Sequence, residues 1–134
     1  MSSARKLDTK PLDTFIDRLQ SHSTEEFWEW IEVDVAGRMQ RVQAVPFSAT
    51  PGSAFSVMVR TVVASGDLIA LLTIVDVETK DLVGFHLKVV HHVLWLSVWV
   101  DPQWERSRLM EVVRKLALVG DRMEFRWSDG GDLW

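Results

Sequence analysis

Cysteine and tyrosine are both missing from this chain of 134 residues. The first absence removes disulfides, thiolate nucleophiles and cysteine-ligated zinc together. The second leaves an aromatic set in which tryptophan, present seven times, outnumbers phenylalanine. Positive charge is also short: 15 Lys and Arg stand against 19 Asp and Glu, a formal net charge of -4. That balance excludes the overall basic field of a general nucleic-acid binder. Apolar runs are short too. The longest, LIALLTIV (68–75) and VLWLSVWV (93–100), fall well below the roughly 20 residues of a membrane-spanning helix. The opening MSSARKLDTK has no apolar core and does not read as a secretory signal. These absences predict one cytoplasmic or nuclear domain over 1–134, with no membrane partner, no DNA partner and no cofactor. Residues 1–10 are expected to be flexible and 128–134 to form a loose tail.

What is present is a patterned α+β chain. PLDTFIDRLQSH (11–22) sets Leu12, Phe15, Ile16 and Leu19 on one helical face, with proline in the first turn. Ser23 and Glu26 have the spacing of a capping box for a short helix. WIEVDV (30–35) alternates like a strand, Ala36-Gly37 reads as a turn, and RMQRVQAV (38–45) as the return strand. A helix through 24–40 is the competing reading of this region. SATPGS (48–53) is a loop by composition. Residues 55–63 alternate Phe55, Val57, Val59, Thr61 and Val63 with Ser56, Met58 and Arg60, and Ser65-Gly66 closes a turn. Residues 67–77 and 82–90 read as two further strands linked by ETKD, and 93–100 as the last. A closing helix over 105–120 carries Leu109, Val112, Val113, Leu116 and Val119 at helical spacing, with Gly120 placed to end or kink it. The expected fold is α+β: an antiparallel-rich sheet of about five or six strands with an N-terminal and a C-terminal helix.

The stretch VVHHVLWLSVWV (89–100) is apolar on both faces. As a strand it places Leu94, Leu96, Val98 and Val100 on one side and Val93, Trp95, Ser97 and Trp99 on the other. LIALLTIV is equally two-sided, so both are expected to be central strands needing a layer on each face. Trp95 and Trp99 then face either the core or a partner or planar ligand. Adjacent residues of a strand point to opposite faces, so His91 and His92 cannot jointly hold one metal ion, and they mark a turn instead. No phosphate loop, nucleophile elbow or HExxH helix is present. Asp76 reads as a turn residue at a strand end. Glu111 and Arg114 are one helical turn apart, the spacing of a solvated ion pair or of an acid and a cation in a cleft.

Three segments resemble the plant ribosome-inactivating proteins, over roughly residues 11–100. LDTFIDRLQ is similar to that family's first helix, AFSVMVRTV to the strand before its central hairpin, and LLTIVDVETKDLVGFHLK to the hairpin itself. The resemblance implies rRNA N-glycosidase ancestry, in which a flipped adenine is stacked between tyrosines and its departure assisted by a proton donor. The position of the first stacking tyrosine is held here by Asp81, which offers no ring, and the second has no counterpart. Phe85 occupies the place of a packing aromatic. EVVR (Glu111 to Arg114) echoes the spacing of the family's catalytic glutamate and arginine, but lies closer to the Gly-Phe pair than in the family.

The resulting expectation is a shortened, toxin-like domain with weak or no depurinating activity that inhibits translation or acts in plant defence by binding. If active, its catalytic residues would be Glu111 and Arg114, and its partner or ligand face Trp95, Trp99 and Phe85. The expected partner is a protein: a second copy, an antidote-type protein or a ribosome component. The alternative is a non-enzymatic α+β interaction module, secretion-chaperone-like or an immunity protein, and homodimeric.

Overall fold

The computed structural model describes residues 10–21, 29–35, 37–47 and 56–128. The capping-box segment, the 48–53 loop and the expected flexible termini fall outside them, apart from Lys10 and Ser128. Element order is α1 (Lys10–Ser21), β1 (Glu29–Val35), β2 (Arg38–Phe47), β3 (Ser56–Ser65), α2 (Leu68–Glu78), β4 (His86–Val90), β5 (Val93–Val100) and α3 (Arg106–Ser128). The five strands form one antiparallel-paired sheet in the order β1-β2-β3-β5-β4. The α+β class with helices at both ends is therefore present, and a third helix joins them.

That third helix corrects the strand expected at 67–77. A two-sided apolar run suits a buried strand or a buried helix equally, and local capping decides here. Asp67 takes extended backbone and its side chain accepts a 2.9 Å hydrogen bond from the Ala70 amide, satisfying one donor of the first helical turn. Gly66 ends β3 just before it. The expected ETKD link is partly helical as well: Glu78 closes α2, and Thr79–Asp81 form a single 3₁₀ turn. The second expected strand shortens to His86–Val90.

One face of the sheet carries the core. Val57, Val59, Thr61 and Val63 of β3 lie beside Val42 and Ala44 of β2 and Leu94, Leu96 and Val100 of β5, all buried. Leu12, Phe15, Ile16 and Leu19 of α1 and Leu109, Val113, Leu116 and Met123 of α3 close over them. Leu71 and Ile74 of α2 join the same cluster. The alternation read from the sequence thus holds on this face, each fully buried aliphatic contributing roughly 1.5–3 kcal/mol. A bulge at Val63 shifts the β3–β5 register between Val62 and Ala64, so that Val63 and Ala64 are both buried.

α3 runs past the end expected for it at Gly120, continuing to Ser128. Gly120 is neither a cap nor a kink but the crossing point of α3 over β3. A Cβ placed there would sit 2.5 Å from the Thr61 Cγ2. Ion pairs fix the helix at each end. Arg106 binds Asp17 and Asp13 of α1, and these hydrogen bonds, Asp17 first, push its pKa further up. Beside the crossing Arg38 of β2 reaches the buried Asp121 carboxylate at 2.5 Å. Buried Glu78 closes α2 onto the same helix, accepting from Arg126 Nη1 at 2.5 Å and Trp127 Nε1 at 2.6 Å.

Two tight hairpins complete the sheet. In the first, Gly37 adopts a φ of +87° and donates its amide to Asp34 Oδ1. In the second, His91 and His92 form the two-residue loop between paired Val90 and Val93, with φ of 50° and 65°. The expectation of a turn is met by a geometry that favours Asn-Gly over histidine. Gly66 braces it, donating its amide to the His92 carbonyl at 3.0 Å, while its own carbonyl lies 3.3 Å from His92 Nδ1.

Two stability outcomes are expected. Gly120→Ala should lower unfolding free energy by about 1–3 kcal/mol through overpacking, although alanine gains about 1 kcal/mol in helix propensity. Thr61→Ser, which removes the clashing methyl, should recover part of that loss in the double variant, read by urea denaturation. Replacing His91-His92 by Asn-Gly should instead raise stability by about 1 kcal/mol, since non-glycine left-handed residues are strained.

Candidate functional site

The helices cover one side of the sheet; the other carries no described element. β4 shows this directly, because Leu87 and Val89 pack against the core while His86 and Lys88 are exposed. Among the described residues, the layer expected on each face is seen on one. Trp95 and Trp99 project from the open side, as alternation along β5 requires, and Trp99 is 41% exposed.

Register brings one polar row across this open face. Gln43 of β2 lies opposite Arg60 of β3, Arg60 opposite Ser97 of β5, and Ser97 opposite His86 of β4. On one side of the row Met58 faces Trp99; on the other Val62 faces Trp95. The Arg60 guanidinium carbon stacks 3.8 Å from the centre of a Trp95 ring, a cation–π contact. Its Nε donates to Gln43 Oε1 at 2.9 Å. Two contacts therefore orient the guanidinium, and partial burial pulls its pKa below the usual arginine value. No carboxylate pairs with it among the described residues, and no buried side-chain donor there is left unsatisfied, so its Nη groups reach solvent.

Next to this row the sheet forks. Regular pairing of β2 with β3 ends at Gln43 and Arg60, and side chains bridge the strands beyond. Gln40 Nε2 donates to Thr61 Oγ1 at 2.8 Å, and Thr61 Oγ1 donates to the Arg41 carbonyl at 2.6 Å. A depression of about 240 Å³ opens at the fork, lined by Met39, Gln40, Arg41, Val62 and Glu124.

The residues expected from the sequence do not assemble into one site. Glu111 and Arg114 are exposed on α3, on the helical side, and neither lines the depression. Asp81 is exposed in the 3₁₀ turn. Phe85 packs against the core, with Lys115 Nζ 6.0 Å from its ring centre. The sheet thus separates Phe85 from Trp95 and Trp99. Among the described residues no group of three or more His, Asp or Glu could hold a metal ion.

Two features went unread in the sequence. Arg60 was legible only as one residue of a wet strand face, and its stacking partner lies 35 positions further along the chain. The other is the outer side of α2, where Leu68, Ile69 and Leu72 are 52%, 79% and 50% exposed. Their signal lay in the uniform greasiness of LIALLTIV, which has no polar side to turn to water.

Because the core lies on the opposite face, Trp95→Ala with Trp99→Ala should leave the chain folded, with unchanged far-UV circular dichroism and a cooperative, modestly lowered melt. Loss of the folded signal would show that the pair belongs to the core.

The chain matches no known family profile, no curated protein and no solved structure.

Proposed function

We propose that this chain is a non-enzymatic α+β interaction module that works as a homodimer, in the manner of a secretion chaperone or an immunity protein. The observation that carries this reading is α2. Its inner side buries Leu71 and Ile74, yet its outer side presents Leu68, Ile69 and Leu72 in succession. Scattered exposed aliphatics are ordinary, but three on one short helix form a patch that water disfavours.

A second copy is the occupant that fits best. Each copy carries a net charge of -4, and Leu68, Ile69 and Leu72 add none, so two copies can meet through these uncharged side chains. A two-fold contact presents the same side chains from both copies and so covers the surplus apolar surface of each. Removing six exposed aliphatic side chains, three from each copy, from water offers roughly 1 kcal/mol each, comparable with the cost of association. A moderate, concentration-dependent dimer follows.

The N-glycosidase reading draws no support from the geometry. It needs an acid and a cation beside a base-sized aromatic pocket. Glu111 and Arg114 are solvent-exposed, and the two tryptophans lie across the sheet from them.

Light scattering on the purified chain should give twice the 15.4 kDa monomer mass, falling toward the monomer on dilution. Ile69→Glu with Leu72→Glu should give a folded monomer at all concentrations. A wild-type chain that remains monomeric when concentrated would overturn the homodimer. Intact ribosomes treated with the protein should show no aniline-dependent scission of the large rRNA. Site-specific scission would restore the enzyme reading.

A further inference from the structure

The open sheet face differs in chemistry from α2. α2 offers three exposed aliphatic side chains, Leu68, Ile69 and Leu72; the open face offers a held cation stacked on an indole ring. Arg60 leans on Trp95, is bonded through Nε to Gln43, and lies opposite Ser97. Trp99 and Met58 form the apolar flank of the row. Trp95 and Trp99, four residues apart on one strand, are about 13 Å apart along it.

From this arrangement we infer that the open face is a docking surface for an acidic segment of a partner protein, with Arg60 receiving one carboxylate of that segment. The inference rests on the reading of the chain as an interaction module, but uses the face opposite the helices.

Charge complementarity selects this occupant. A partly buried guanidinium with solvent-facing Nη groups and no described carboxylate lacks the anion that would offset its desolvation, a situation reflected in its lowered pKa. A carboxylate suits it because the planar fork accepts two oxygens side by side. Stacking on Trp95 and the bond to Gln43 already limit the guanidinium's freedom, so less ordering is required at the moment of binding. Trp99 and Met58 supply the apolar contact that a charged pair alone would lack, and partly dry aromatic surroundings strengthen the ion pair.

A polyanion fits less well. The chain is acidic overall, and the same sheet face carries exposed Glu32 and Asp34 on β1. A phosphate backbone crossing the sheet would meet those carboxylates, whereas one protein carboxylate at Arg60 does not need to. A second copy docked here would leave α2 uncovered. The partner is therefore a different protein, contributing a short segment in which acidic and apolar residues alternate.

The test uses the full-length, isotopically labelled protein and follows the indole N–H resonances of Trp95 and Trp99 by two-dimensional NMR. The probe is a capped heptapeptide alternating leucine with glutamate. Controls are the same peptide with glutamine and a short thymidine oligonucleotide. Saturable shifts at Trp95 and Trp99 are expected with the glutamate peptide alone. Arg60→Gln should weaken that binding about tenfold or more, and Arg60→Lys should recover only part of it, because lysine keeps the charge without the planar fork. Both variants should keep the wild-type circular dichroism; if Arg60→Gln fails to fold, Arg60→Lys and Trp99→Ala carry the comparison.

Equal response to the glutamine peptide, preference for the oligonucleotide, or binding unaffected by Arg60 would each overturn the inference, as would no shift at either tryptophan. None of these outcomes depends on dimerisation. A monomer that binds the glutamate peptide would remove the α2 reading alone, and a dimer that ignores it would remove this one alone.

Discussion

The fold depends on α3 crossing one face of the sheet at very close range. At Gly120 the helix comes so near β3 that no side chain fits between its backbone and the Thr61 methyl. This approach lets Leu109, Val113, Leu116 and Met123 reach the same aliphatic layer from above. Ion pairs tether the helix near its start, Arg106 to Asp13 and Asp17 of α1, and beside the crossing, Asp121 to Arg38 of β2. Partly exposed pairs of this kind contribute little stability.

The described helices all pack on one side of the sheet, and no described element covers the other, which is neither uniformly polar nor uniformly apolar. Cross-strand register places Gln43, Arg60, Ser97 and His86 in a line, with indoles beside it. The crossover through α2 adds a second exposed surface of different character. The chain thus presents two exposed surfaces of different chemistry, on which the proposed self-association and the proposed acidic partner respectively rest.

Much of this was legible along the chain, and the failures have specific causes. Period-two alternation identified β1, β2 and β3 because each has a buried aliphatic side, the two-sided apolar run at 93–100 identified β5, and helical spacing identified α1 and most of α3. The run at 68–75 was misread because it lacks a period: Leu71 and Ile74 face the core while Leu68, Ile69 and Leu72 do not, and all are aliphatic. The informative residue was Asp67, outside the run, whose cap starts the helix. The resemblance-based site fared no better. It required Phe85, Trp95 and Trp99 to share a surface, and they sit on opposite sides of a sheet whose strand order a linear pattern does not encode.

The sequence by itself determined the class, the absence of cysteine chemistry, the acidic balance and the inward faces of most strands. These follow from composition and from periodicities that local backbone geometry imposes. Tertiary structure alone decided which side of α2 would be buried, that Gly120 would be a crossing point, and that Arg60 would stack on Trp95. Each depends on which strands become neighbours and in what register. Hydrogen bonding between segments far apart in the chain sets that register, and no local pattern carries it.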